Sequence, residues 1–122
     1  MKPLGDAILR KFRKELNSGI VSLVLLAILD RSDEPLYGYQ IAKSIEGTWQ
    51  EGAQVKQGTL YPVLRSMEEN GLLVSRVEPS VSGPPRKYYS ITEQGRAVLA
   101  EWKEAWSRAR DFVDATLEGN VG

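Results

Sequence analysis

The chain has 122 residues, 42% of them apolar and 26% charged, with 16 basic and 16 acidic side chains, a make-up that fits one globular domain. It contains no Cys and no His, which excludes disulfides, thiol nucleophiles, Cys/His zinc sites and histidine acid/base chemistry. The longest apolar run, Ile20 to Leu29 broken by Ser22, falls far short of the roughly 20 residues of a membrane span, and the N-terminus lacks a secretory signal pattern. These readings point to a soluble, cytoplasmic protein.

In chain order, residues 6 to 16 set Leu9, Phe12 and Leu16 on one helical face, with Arg10, Lys11, Arg13 and Lys14 on the other side. Asn17, Ser18 and Gly19 predict a break, with Ser18 as the N-cap of a second helix, Ile20 to Asp30, apolar on nearly all sides and therefore the most buried. After Asp33-Glu34-Pro35, a helix from Tyr39 to Glu46 carries Ile41, Ala42 and Ile45 on one face, and Gly47 closes it. A polar stretch, Thr48 to Gln57, holds Trp49, which is expected to pack locally. The next helix reads Leu60, Val63, Leu64, Met67 and ends at Gly71; Pro62 belongs in a first turn, so this helix should start near Gly58 or Thr59.

Leu72 to Val77 and Lys87 to Ile91 alternate and predict a β-hairpin with a proline-stiffened tip at Glu78 to Pro85. Alternation sends Tyr88 and Tyr89 to opposite faces, one of them core. Thr92 is the expected N-cap of a last helix that reaches about Leu117, with Gly119 to Gly122 fraying. Along it Leu99, Trp102, Trp106, Ala109, Val113 and Thr116 step by threes and fours as a heptad seam. At about 38 Å, such a helix outruns the core of so small a domain. Its tryptophans need a cover.

Helices, a hairpin and a long last helix fit a mainly α fold with a small β-hairpin: a winged helix-turn-helix plus a C-terminal dimerisation helix. Tyr37-Gly38-Tyr39, Gly58-Thr59-Leu60-Tyr61-Pro62-Val63-Leu64, Asn70-Gly71-Leu72, Pro85-Arg86-Lys87-Tyr88-Tyr89 and Thr92-Glu93-Gln94-Gly95 together resemble the PadR family of transcriptional regulators, over residues 18 to about 117. The single C-terminal helix resembles the short-chain branch of that family. The chain then divides into residues 1–92, a winged helix-turn-helix DNA-binding domain preceded by an extra cationic helix whose role the family pattern leaves open, and 93–122, a C-terminal dimerisation helix. The resemblance implies a homodimeric repressor on a palindromic, double-stranded operator; no cofactor, metal or membrane partner is expected.

Within that frame, Gln57, Thr59, Tyr61 and Arg65 lie on or near the outward side of the recognition helix, where Arg65 can hydrogen-bond guanine or phosphate. Packing on the neighbouring helix competes for Tyr61, and an ordinary solvated charge is the alternative for Arg65. Lys56-Gln57 departs from the Ser-Pro common in the family. A lysine at the positive end of a helix dipole makes sense with a DNA phosphate there, and otherwise is an exposed turn residue. Arg86 and Lys87 stand at the base of the wing, placed for phosphates or a minor groove. Trp102 and Trp106 are either dimer packing or an aromatic sandwich for a flat effector, because multidrug-sensing members of the resembled family use a tryptophan on this helix. Asp111 and Asp114 are equally consistent with orienting a cationic ligand or with plain surface acids.

Net charge is zero overall, but segments 1–29, 30–51, 52–90 and 91–122 sum to +3, −3, +2 and −2. That balance also fits a winged-helix module that binds protein rather than DNA, and salt dependence separates the two. Glu68 and Glu69 are adjacent on a helix and diverge, so no catalytic pair is assigned and no enzyme is expected.

Overall fold

The computed structural model describes residues 4–48 and 57–119. Lys56 and Trp49, and the end of the chain beyond Gly119, lie outside them. The elements are α1 (Leu4–Arg31), β1 (Leu36–Tyr37), α2 (Gly38–Thr48), α3 (Gln57–Glu69), β2 (Leu73–Glu78), β3 (Arg86–Ile91) and α4 (Glu93–Leu117). Among the described residues no helix is long and apolar enough to cross a membrane.

The break expected at Asn17–Gly19 is absent, and the two predicted N-terminal helices are one helix of 28 residues. Ser18 and Gly19 therefore sit in a helix interior, and Ser18 caps nothing. Each costs less than about 1 kcal/mol there relative to alanine, whereas stopping and restarting the helix would orphan a turn of backbone groups at each end. Packing nucleates the C-terminal half of α1, where Leu25, Leu26 and Leu29 are buried, and extension toward Leu4 then adds one hydrogen bond per residue. Gly47, expected to close the helix that starts at Tyr39, is likewise helical, because α2 continues to Thr48.

The core joins these leucines to Ile41, Ala42 and Ile45 of α2, Leu60, Leu64 and Met67 of α3, Leu73 and Tyr89 of the sheet, and Leu99 of α4. Of the tyrosine pair, Tyr89 is the buried one. The sheet has three strands in the order β1-β3-β2, all antiparallel, where the sequence led us to expect two. β1 is two residues long, too short to show alternation.

Two of the sequence motifs interlock at the junction of α3, the sheet and α4. Gly71 has φ 79°, and the bonds from Gly71 N to Glu68 O (3.0 Å) and from Leu72 N to Met67 O (2.9 Å) make a Schellman stop for α3. Thr92 caps α4, its Oγ1 accepting from Gly95 N at 2.9 Å while donating to the carbonyl of Gly71 at 2.7 Å. Gly95 lies flush against the chain: a Cβ there would come to 2.3 Å from the Leu72 carbonyl oxygen. These contacts fix the angle at which α4 leaves the domain.

Candidate nucleic-acid interface

α2 and α3 form the helix-turn-helix. At its start, Tyr37 N–H donates to Gln40 Oε1 at 3.1 Å, half of a capping box. Gly38, the first residue of α2, receives the ring of Tyr61 from α3; a Cβ on Gly38 would stand 2.8 Å from the Tyr61 hydroxyl. Tyr61 thus packs on the neighbouring helix while keeping 41% of its surface exposed.

α3 is set by Leu60, Leu64 and Met67, which point into the core and leave Thr59, Pro62, Arg65, Ser66 and Glu69 on the open side. The helix begins at Gln57, one turn and a half before Pro62, whose missing N–H leaves the Gly58 carbonyl without its intrahelical partner. Arg65 is exposed and has no ion-pair partner among the described residues.

Strand alternation separates the two neighbouring cations of β3, Arg86 and Lys87. Arg86 shares the outward face of the sheet with Tyr88 and Tyr37, its guanidinium 4.6 Å from the centre of the Tyr37 ring. Tyr37 is edge-on to Tyr88 at 5.3 Å and stacked with Tyr39 at 6.4 Å, and Lys43 lies 5.7 Å over Tyr39. A cation–aromatic row therefore runs from the wing onto α2. The β1–β3 pairing brings Tyr37 beside Arg86, and Tyr39 and Lys43 extend the row from there, a juxtaposition that spacing along the chain does not reveal.

Lys87 turns to the helix side, where its Nζ lies 3.1 Å from Glu68 Oε1 of α3. Ser75 of β2 donates to the other oxygen of Glu68. The Ser75 hydrogen bond first, and then Lys87, hold the Glu68 carboxyl below its ordinary value; bonding to Glu68 in turn raises Lys87. Burial pushes the Tyr89 hydroxyl up.

On α4 the seam divides. Leu99 is buried in the domain's own core and Trp102 packs against it, whereas Trp106 and Val113 stay open, 42% and 47% exposed, with Phe112 and Leu117 beside them at 66% and 79%. Between α1 and α4 lies a cavity of about 470 Å³, walled by Leu16, Gly19, Ile20, Leu23, Trp102 and Trp106.

A helix-turn-helix whose second helix is exposed and presents Arg65 on its open face, flanked by a three-stranded wing, defines a winged helix-turn-helix protein of the nucleic-acid-binding class. Residues 25–101 match the transcriptional regulator PadR-like family, and the chain belongs to that family. It is thus a transcriptional regulator rather than an enzyme.

Its fold is similar to that of a PadR family transcriptional regulator from Eggerthella lenta, with TM-score 0.80 and 36% identity over 94% of this chain and 96% of that one. It is 32% identical to the transcriptional regulator YqjI of Escherichia coli over 83% of this chain and 46% of that protein. It is 29% identical to an uncharacterized protein of Lysinibacillus sphaericus over 88% of this chain and 96% of that protein. The chain thus spans less than half the length of YqjI.

Proposed function

We propose that the protein represses transcription by binding a palindromic DNA operator as a homodimer, with α3 in the major groove and the wing on the flanking backbone. The observation that carries this reading is Arg65, a cation without an acidic partner among the described residues, in the middle of the open face of α3. Thr59 and Tyr61 share that exposure, and Gln57 begins the helix. Arg86 supplies the wing contact, and Lys56, next before α3 in the sequence, adds a cation for phosphate. In this reading residues 1–92 are the DNA-binding domain and 93–122 pair with a second copy, which covers the bare seam from Trp106 onward.

A flat aromatic effector enters beside Trp102 and Trp106, since about 470 Å³ lies in the range of small-molecule pockets. It releases the operator by favouring one spacing of the two recognition helices over the other.

The test is a salt titration of operator binding. Arg86→Ala should weaken binding evenly across sequences and lower the salt slope by about one for each phosphate it no longer neutralises; Arg65→Ala should also change sequence preference. If both variants match the wild type in affinity, slope and preference, the face is wrongly assigned. Binding only to a protein partner, indifferent to salt, would favour the interaction-module reading.

A further inference from the structure

Lys87 and Arg86 are neighbours in sequence but meet different surroundings. Glu78, opposite Arg86 in the β2–β3 register, is engaged by Arg76 at 2.8 Å, so Arg86 has no ion-pair partner among the described residues. Lys87 faces Glu68, which is more sheltered than the lysine, 30% against 46% exposed, and is itself held by Ser75. Tyr89, two residues along the same face of β3, lies under the Lys87 ammonium at 5.5 Å. Glu68 thus offers Lys87 what a DNA phosphate would offer: an anionic oxygen at hydrogen-bonding distance, pinned by a neighbour. A phosphate that took Lys87 away would leave that carboxylate unpaired and beside another anion, a repulsive arrangement.

We infer that Glu68 is a built-in substitute for a backbone phosphate, a positioning residue that seats Lys87 on the recognition helix and withholds its charge from DNA. This rests on the DNA-binding reading above and deepens it. Of the three wing cations, Arg76 is held by Glu78 and Lys87 by Glu68, so only Arg86 then contacts the backbone. Because phosphate contacts raise affinity for every sequence alike, withholding one from each protomer lowers non-specific binding and leaves discrimination to α3. The pair also ties α3 to both long strands of the wing, through Lys87 of β3 and Ser75 of β2.

The experiment uses the full chain and a mixed-sequence DNA duplex, with binding followed by fluorescence anisotropy over a salt series. Three proteins are compared: wild type, Glu68→Gln and Glu68→Gln/Lys87→Met. Gln keeps the side-chain shape and an oxygen to accept from Ser75, and the double variant exchanges a neutral pair for a neutral pair. Thermal melts confirm that all three are folded.

Releasing Lys87 in Glu68→Gln should add one phosphate contact. The loss of affinity between about 50 and 200 mM salt then deepens by about 3.5-fold for each protomer on the duplex. The double variant should return to the wild-type slope. A Glu68→Gln slope equal to wild type overturns the inference, and so does a double variant shallower than wild type by the same factor, which makes Lys87 a phosphate anchor already. Salt-insensitive wild-type binding, unchanged by Arg65→Ala and Arg86→Ala, would instead overturn the DNA-binding reading itself.

Discussion

Gly95→Ala is the substitution on which the packing makes its sharpest demand. In an isolated helix this change helps, by about 1 kcal/mol of propensity. Here the new Cβ would stand 2.3 Å from the Leu72 carbonyl oxygen and 2.7 Å from Ile91 Cγ1, against the 3.4 Å at which ordinary contact begins. The first of these is backbone and cannot rotate away, so α4 and the start of β2 must part by about 1 Å. The same carbonyl accepts from Thr92 N at 3.0 Å and takes the longer branch, 3.1 Å, of the Thr92 hydroxyl proton it shares with the Gly71 carbonyl, and both contacts stretch when it moves.

Overpacking costs about 1–3 kcal/mol and each weakened hydrogen bond up to about 1, so after a propensity gain of about 1 the central expectation is a net loss of about 2 kcal/mol. In urea at fixed protein concentration the midpoint should fall by about 1 M with the m-value unchanged. Gly19→Ala is the control: also helical, with nothing within 4 Å of its Cβ, it should stabilise by about 0.5 to 1 kcal/mol. A Gly95→Ala protein as stable as wild type would refute the close packing of α4 on Leu72.

Three further outcomes follow from the same geometry. Because the Glu68 carboxyl titrates below 4.5 when folded, its contribution is complete above that pH and disappears as pH falls through the lowered value; the raised Lys87 contributes fully below 10.5 and loses this as pH rises through its folded value. Wild type should therefore lose more melting temperature on acidification than Glu68→Gln, and parallel curves would contradict the pairing. Val113→Lys, at an exposed seam position, should shift the protein to monomer in sedimentation equilibrium, and an undiminished dimer would place the interface elsewhere. Planar aromatic cations should quench tryptophan fluorescence in wild type but far less in Trp106→Ala; quenching that is the same in both would remove Trp106 from the effector site.

The sequence alone determined those features that depend on periodicity and local caps. The later helices, the hairpin strands, the Gly71 stop and the Thr92 cap all act within a few residues, and the structure has each of them, whereas the Ser18 cap and the Gly47 stop, read by the same local rules, are absent. Motif order was enough to identify the family, confirmed by the match over residues 25–101. Tertiary structure decided the rest. Ser18-Gly19 reads as a helix break locally, yet buried leucines further along α1 carry the helix through it. Gly19 and Gly95 are both helical glycines in the structure, and only the approach of the Leu72 carbonyl makes a side chain costly at one of them. Arg86 and Lys87 look alike as neighbouring cations, until strand alternation sends one to open aromatic surface and the other to Glu68, 19 positions earlier in the chain. A charge's role depends on which partner the fold brings within about 4 Å, and that distance is set by register and packing rather than by composition.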